Sequence, residues 1–168
     1  RGLGDVYKRQ QVEFVSVAGS DEARDYAQNA FKKSGVNAHL IVDESRPTTI
    51  KQKFRSKGKS LLRVNHLHQD AINSSLQDKI SKIIESVIQD VDLLVFSDFN
   101  YGCLPQLLVD KLIKLANAND VMLAADSQSS SQIGDISRFR GVSLITPTER
   151  EARISSRNHE DGLVVLVQ

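Results

Sequence analysis

The chain has 168 residues, of which 40% are hydrophobic and 26% charged, so it can bury a core and does not have the composition of a disordered protein. Its formal net charge of +1 gives no overall field for nucleic acid or an anionic membrane, and its single cysteine excludes an internal disulfide. The sequence has no signal-type segment and no apolar stretch long enough to cross a bilayer, so we expect a cytoplasmic protein without nucleic-acid or membrane partners.

The two ends of the sequence are unusual. Residues 1–10 contain no initiator Met and include DVYKRQ, which resembles the translation of a transposon-type sequencing adaptor. We therefore expect an adaptor-derived tail that takes no part in the fold. At the other end, GLVVLVQ stops within an apolar run, so we expect residues 11–168 to be an incomplete domain from a longer protein.

The interior alternates strand and helix patterns in chain order. A strand is predicted over 12–18, a helix over about 21–34, a second strand in AHLIVD, and a hairpin over about 47–66. An amphipathic helix over about 70–89 follows. Three apolar strands, DLLVFSD, VMLAAD and VSLIT, then alternate with helices over about 104–118 and from Glu149. This order predicts an α/β protein with a mostly parallel sheet that helices cover on both faces.

Three of these strands end in side chains that can bind ligands. Asp98, Asp126 and Thr146 stand at the last strand position or just beyond it. Because the carboxyl ends of parallel strands meet at one edge, we expect the three side chains to share the edge where ligands bind in open α/β sheets. The carboxylates could hold a metal, accept hydrogen bonds from sugar hydroxyls, or pair with Lys or Arg. The alternative is that each Asp only caps the following turn or helix.

The predicted hairpin is strongly basic. Lys51, Lys53 and Arg55 occupy alternate positions of its first strand, which places the three cations on one face. They fit a solvated edge strand whose charges prevent aggregation. A nucleic-acid patch is the weakest interpretation, because no aromatic stacking platform accompanies the cations.

Four segments resemble parts of a known family, and the last three in the chain do so in the family's order and spacing. DLLVFSDFNYG, VMLAADSQ, RFRGVSLITPTEREA and RPTTIKQKFRSKGKSLLRVNH are similar to the central part of the ribokinase-type (PfkB) carbohydrate kinases. The likeness is to the heptose-7-phosphate kinase domain of the enzymes that make ADP-heptose, and it covers residues 11–168. It implies a partial ribokinase-like three-layer α/β fold, with a lid hairpin at about 47–66. It also implies phosphoryl transfer from ATP to a hydroxyl of a sugar phosphate, with Mg2+, and a homodimer formed through the lid hairpin.

The resemblance also implies site residues. The family's Asn-x-x-Glu motif falls on residues 148–151, at the nucleotide and magnesium end of the cleft. Contacts to ATP and magnesium are implied for Thr148, Glu149, Arg150, Glu151 and Asp126. Glu151 is the implied metal-site residue, and substrate contacts are implied for Thr49, Lys51 and Asp98.

The sequence also departs from the family pattern. Thr148 replaces the motif's Asn, while Tyr101 and Gln128 stand where the family carries lysines. Two lost cations would weaken phosphate binding, so a different substrate, reduced activity, or a non-catalytic nucleotide-binding, sugar-phosphate-binding or dimerisation domain remains an alternative. The family's general base belongs to a Gly-Ala-Gly-Asp motif that we expect beyond Gln168, so we assign no catalytic residue and expect the chain itself to be inactive.

Two further groups carry weaker signals. His66 and His68 share a face of a predicted strand but have no third ligand, which favours surface histidines over a metal pair. Gly134, Asp135 and Arg138 lie in the loop after Asp126, and we assign them no role.

Overall fold

The computed structural model describes residues 11–128, 135–158 and 160–162. The chain divides into two units, residues 1–68 and 69–168. The predicted tail over residues 1–10, Gly134, and all but the first residue of the C-terminal GLVVLVQ run lie outside the described residues.

The first unit begins with a strand, a helix and a parallel strand. Strands β1 (Glu13–Ala18) and β2 (Asn37–Val42) pair in parallel, and helix α1 (Glu22–Lys33) connects them. Asp21 caps α1 by accepting a hydrogen bond from the Arg24 amide at 3.0 Å, as the sequence predicts. The ring of Phe31 stacks on that of Phe14 with the centroids 4.6 Å apart, which packs the helix on the strand pair.

The rest of the first unit is an antiparallel hairpin of β3 (Ile50–Ser56) and β4 (Lys59–His66). Lys57 and Gly58 form its turn with φ angles of 47° and 80°, the left-handed conformation that tight hairpin turns need. The strand register shifts at Phe54 and Arg55, which leaves Leu61 as an extra residue on β4. An antiparallel hairpin therefore occupies most of the segment predicted over about 47–66.

The second unit is built on helices α2 (Ser74–Val87) and α3 (Gln106–Ala118), which pack against each other. A 3-10 turn, Ile88–Asp90, extends α2. The buried side chains form stripes at helical spacing, as the sequence predicts for the first of the two helices; they are Leu76, Ile80, Ile84 and Ile88 on that helix and its extension, and Leu108, Val109, Leu112, Ile113 and Ala116 on the second. No helix within the described ranges combines the length and the apolar composition that a bilayer-spanning segment requires.

The sheet of the second unit has three parallel strands in chain order: β5 (Leu93–Asp98), β6 (Met122–Ser127) and β7 (Leu144–Ile145). Helix α4 (Glu149–Ser156) follows β7. One face of the sheet is buried and contributes Phe96, Leu123 and Ala125 to the core.

The expected cover on both faces of this sheet is not found among the described residues. The other face leaves four large side chains between 47% and 58% exposed: Leu93, Val95, Met122 and Leu144. Because strand side chains alternate between faces, these four share one side with Ala124 and Asp126. Apolar composition shows that both sides of these strands favour burial, and the described residues bury one of them.

Candidate functional site

The carboxyl edge of the three-stranded sheet brings two of the predicted site residues into contact. Asp126 is the last residue but one of β6, and Thr146 follows β7 directly. The Thr146 Oγ1 atom donates a hydrogen bond to Asp126 Oδ1 at 3.1 Å, and Gln128 Nε2 donates to Asp126 Oδ2 at the same distance. The prediction that Asp98, Asp126 and Thr146 share one edge is therefore correct, since β5, β6 and β7 run parallel.

Asp98 lies at the same edge but on the opposite face. The register pairs Asp126 with Ser97 and pairs Asp98 with Ser127, so the two carboxylates point to different sides of the sheet. Asp98 is only 4% exposed. The edge therefore presents Asp126 and Thr146 together, while Asp98 faces the helix-covered interior.

Both oxygens of the Asp98 carboxylate have partners within the chain. Oδ1 accepts the Asn100 amide at 2.9 Å, and Oδ2 accepts Nη1 of Arg138 at 3.0 Å. Asp98 therefore pairs with a cation, which is one of the three roles that the sequence allows for the strand-end carboxylates. Arg138, for which the sequence predicts no role, is thus an additional candidate for the site. A single Arg after a Ser-rich loop belongs to no periodic pattern, so the sequence alone does not identify it.

The predicted nucleotide-binding residues form the start of α4. Thr148 caps the helix: its Oγ1 accepts the Glu151 amide at 3.3 Å, and Glu151 Oε2 accepts the Thr148 amide at 2.8 Å. Thr148 Oγ1 also donates to the same carboxylate oxygen at 2.7 Å. This reciprocal capping box satisfies two amides that the helix leaves unpaired, and it holds Glu151 buried.

The outer face of the same helix is open to solvent. Glu149 and Arg150 are exposed, and Glu149 Oε1 pairs with Arg153 Nη2 at 2.8 Å. A shallow open depression is lined by Thr148, Glu149, Arg150, Arg153 and Ile154. Thr148 is therefore the residue that joins the depression to the buried capping box.

The remaining predicted site residues, Thr49 and Lys51, belong to the first unit. Thr49 is exposed in the segment before β3, and Lys51 is exposed on β3 opposite Asn65. Lys51, Lys53 and Arg63 lie on one face of the hairpin because they are paired or alternate in register. Lys51 and Lys53 therefore share a face as predicted, while Arg55 lies at the shift in register.

Thr48, next to the predicted Thr49, anchors the loop between β2 and β3. Its Oγ1 accepts the Gly19 amide at 2.9 Å, and its own amide donates to Asp21 Oδ2 at 2.8 Å. The Thr48 hydroxyl and amide together lower the pKa of Asp21 below its ordinary value. A Cβ on Gly19 would stand 2.7 Å from the Arg46 carbonyl oxygen, so only glycine permits this close approach.

A second carboxylate in this loop is buried. Burial alone would raise the pKa of Asp43, but the hydroxyl and amide of Ser45 and the guanidinium of Arg46 together lower it. Asp43 Oδ1 accepts the Ser45 hydroxyl at 2.6 Å, and Oδ2 accepts Arg46 Nε. The ionised carboxylate of Asp43 therefore stabilises the start of the loop, and that of Asp21 stabilises its end.

The described residues contain no group of three or more His, Cys, Asp or Glu side chains arranged to hold a metal ion. Mg2+ bound with nucleotides usually takes only one or two protein carboxylates and fills its remaining positions with phosphate oxygens and water. Asp126, half-buried with hydroxyl and amide neighbours, fits such a partial site. Glu151 fits it less well, since its carboxylate is buried in the capping box.

Comparison with known proteins supplies a family for this arrangement. The model of the pfkB family carbohydrate kinases matches residues 2–168. Among curated proteins, the chain is 29% identical over 147 residues to a bifunctional protein HldE of Helicobacter hepaticus, covering 87% of this chain and 30% of that protein. It is 33% identical over 141 residues to a bifunctional protein HldE of Pseudomonas aeruginosa, covering 84% and 28%. The chain thus spans about 30% of the length of these relatives.

Solved structures give the same fold at lower sequence identity. A ribokinase from Giardia lamblia matches with a TM-score of 0.69 and 17% identity, over 95% of this chain and 48% of that one. An adenosine kinase from Schistosoma mansoni matches with a TM-score of 0.66 and 14% identity, over 95% and 49%. The predicted ribokinase-like α/β fold class is therefore confirmed.

Proposed function

Because the chain belongs to the pfkB family of carbohydrate kinases, we propose that the protein containing it transfers the γ-phosphoryl group of ATP to a hydroxyl of a sugar. The favoured substrate is a heptose phosphate. The resemblance of the four segments supports this choice, as do the curated relatives, which are bifunctional HldE proteins. The observation that carries the proposal is the carboxyl edge of β5, β6 and β7, where Asp126 and Thr146 meet beside the start of α4.

The roles of the site residues are part of the proposal. Asp126, Thr148, Glu149, Arg150 and Glu151 form the ATP and magnesium side, and bound Mg2+ would neutralise developing charge on the phosphoryl oxygens. Thr148 offers a hydroxyl, and the exposed Arg150 offers a cation for phosphate oxygens. Glu151 acts mainly by holding Thr148 and the helix terminus in place.

For the sugar side, we propose the three residues that the resemblance implies: Thr49, Lys51 and Asp98. Lys51 and the exposed hydroxyl of Thr49 contact the phosphorylated sugar, with the basic face of the hairpin as a lid. Asp98 contributes by fixing the loop that follows β5, because both its oxygens already have partners. We further propose that the hairpin forms a homodimer contact and that the protein works in the cytoplasm.

The kinase proposal is tested on the full protein that contains this chain. It is incubated with MgATP and a panel of heptose and hexose phosphates, and 31P NMR follows the products. We expect ADP and a new phosphate ester with a heptose phosphate, and weaker turnover with hexose phosphates. ADP release that no sugar on the panel accelerates would rule the proposal out. The expectation that the 168-residue chain alone does not turn over ATP stays a prediction.

A second candidate is a non-catalytic domain that binds a nucleotide or a sugar phosphate. Tyr101 and Gln128 favour it, because neither supplies the positive charge that a lysine would bring to a phosphate. The rings of Tyr101 and Phe99 stack with the centroids 6.0 Å apart in the loop after β5. Calorimetry with MgATP separates the two candidates, since binding without sugar-dependent turnover supports the second.

A further inference from the structure

Arg138 joins both ends of one loop at the carboxyl edge of the second unit's sheet. It ends a short 3-10 helix, Ile136–Arg138. Its Nη1 donates to Asp98 Oδ2 at 3.0 Å, and its Nη2 donates to the carbonyl oxygen of Leu104. The backbone carbonyl of Arg138 accepts Nε2 of Gln106 at 3.0 Å. One residue therefore fixes the loop over residues 99–105 where it leaves β5 and where it enters α3.

Arg138 lies in a poorly solvated environment, so the loss of its hydrogen bonds would destabilise the fold. Its side chain is 18% exposed and that of Asp98 is 4% exposed. The guanidinium carbon lies 5.2 Å from the ring centroid of Phe139, and that ring lies 5.4 Å from the ring of the buried Phe96. Removing one partner of a poorly solvated ion pair leaves an uncompensated charge, which costs far more than losing an exposed pair.

The same short helix is tied to α4 at its other end. The Ile136 amide donates to Ser155 Oγ at 3.1 Å, and Asp135 Oδ1 accepts the amide and the hydroxyl of Ser137 at 3.0 and 2.6 Å. Helix α4 begins with the capping box of Thr148. Residues 135–139 therefore contact the loop after β5 on one side and α4 on the other, and we call them the bridge segment.

We propose that Arg138 is a positioning residue, which sets the spacing between the loop after β5 and helix α4 through the bridge segment. The proposed kinase function gives this spacing its importance, because the loop and the helix belong to the sugar and nucleotide sides of the site. The bridge itself rests on the hydrogen bonds of Arg138 and Ser155, so it can be tested without any activity.

Four variants of the chain separate the contributions. Arg138→Gln removes the charge opposite Asp98, while Arg138→Lys keeps the charge but loses the two separately aimed guanidinium nitrogens. Ser155→Ala cuts the bond at the α4 end. Arg140→Gln is the matched control, since it makes the same chemical change at an exposed residue two positions away.

The measurement is amide hydrogen exchange by NMR on each folded variant. The reporters are the Asn100 amide, bonded to Asp98, the Ile72 amide, bonded to the Gly102 carbonyl, and the Ile136 amide, bonded to Ser155. We expect Arg138→Gln to speed exchange about tenfold or more at all three amides, Arg138→Lys to do so less, and Arg140→Gln to have no effect. Ser155→Ala should also speed exchange at Asn100, because the segment transmits the change.

Unchanged exchange at Asn100 and Ile136 in Arg138→Gln would overturn the proposal. If that variant does not fold, Ser155→Ala decides, because it deletes a single hydroxyl. Unchanged exchange at Asn100 in that variant would show that the bridge does not couple its two ends.

An activity measurement on the full protein tests the positioning role itself. We expect Arg138→Gln to raise KM for the sugar severalfold, Arg138→Lys to rescue part of it, and Arg140→Gln to match the unsubstituted protein. Faster amide exchange with unchanged KM and kcat would show that Arg138 stabilises the fold without positioning the site, and it would overturn the positioning role. If the unsubstituted protein phosphorylates no sugar, the proposed function fails, while amide exchange still decides whether the bridge exists.

Discussion

Asp98 accepts hydrogen bonds from Asn100 and Arg138 in the interior of the second unit, whereas Asp126, at the same sheet edge, meets Thr146 and Gln128 near solvent. The two residues are chemically identical and both lie at the carboxyl end of a strand. Their difference comes from the alternation of strand side chains, which turns one carboxylate towards the helices and the other away from them. A carboxylate that is engaged and buried stabilises the fold, while one with solvent access can bind a ligand.

Isosteric changes at the two positions should separate these roles. Asp98→Asn leaves the Arg138 charge uncompensated at a poorly solvated site, so we expect it to lower the free energy of unfolding by roughly 3 kcal/mol or more. Asp126→Asn should change it by less than about 1 kcal/mol. Urea unfolding followed by circular dichroism measures both. Equal losses in the two variants would contradict this assignment.

Asp43 gives a pH dependence with a defined sign. Its pKa lies below the ordinary value of 3.8, because the bonds from Ser45 and Arg46 outweigh the effect of burial. A lowered pKa in the folded state adds stability that is fully present above the unfolded-state pKa and is lost as the pH falls through the folded-state pKa. We therefore expect stability to fall as the pH drops below about 4. Asp43→Asn should be less stable at pH 7 and should show a flatter profile between about pH 5 and 2.

Thermal unfolding across that pH range provides the measurement. Asp25→Asn is a suitable control, because its carboxylate is exposed and its ion pair with Arg24, at 3.5 Å, lies at the surface. If Asp43→Asn and the unsubstituted chain lose stability in parallel on acidification, Asp43 does not carry the dependence.

The elements show which parts of the structure a sequence pattern can specify. Helix α1 with its Asp21 cap, the stripe of buried residues on α2 and the Lys57–Gly58 turn were predictable, because each depends on residues close in sequence. The parallel direction of the strands was predictable too, because crossover helices connect parallel neighbours. The contact of Arg138 with Asp98 was not, since it spans 40 positions and the residues between them fix its geometry. The half-exposed side chains on one face of the sheet were not predictable for a similar reason, because burial depends on what packs there.

The hairpin has two chemically different faces. Ile50 pairs with His66, and Phe54 pairs with Leu62, so these residues lie on the face opposite to Lys51 and Lys53. Phe54 is 49% exposed and Leu62 is 56% exposed. An apolar face on an otherwise basic hairpin is suited to contact a second copy, and this supports the proposed homodimer.

Variants of each hairpin face test this dimer. Replacing both Phe54 and Leu62 by Thr keeps the strand preference but removes apolar area, so we expect the dimer to dissociate at least tenfold more readily, about 1.4 kcal/mol. Replacing Lys51 and Lys53 by Thr should leave the dimer intact while it weakens sugar-phosphate binding. Analytical ultracentrifugation reports the association constant. A dimer that survives the first change, or a chain that is monomeric throughout, would refute the hairpin contact.

At the scale of the whole molecule, one face of the three-stranded sheet stands out among the described residues because it exposes large apolar side chains. Val95 and Leu144 flank Ala124 in register, Met122 lies two residues before Ala124 on β6, and each of the three large side chains is about half exposed. A contiguous apolar area of this kind is uncommon on monomeric proteins, and it marks a surface that associates readily. We therefore expect the 168-residue chain to bind the dye ANS in its folded state and to aggregate as its concentration rises.

Threonine at Val95, Met122 and Leu144 should reverse both properties while keeping the strand preference. We expect the triple variant to show severalfold less ANS fluorescence and a higher solubility limit, with its far-UV circular dichroism unchanged. Leu107→Thr is the control, because Leu107 is 80% exposed on α3 and lies outside this face, so removing it tests whether any exposed leucine gives the same effect. If the control lowers the fluorescence as much as the triple variant does, the dye binds elsewhere. In that case the exposed sheet face does not determine how the chain associates.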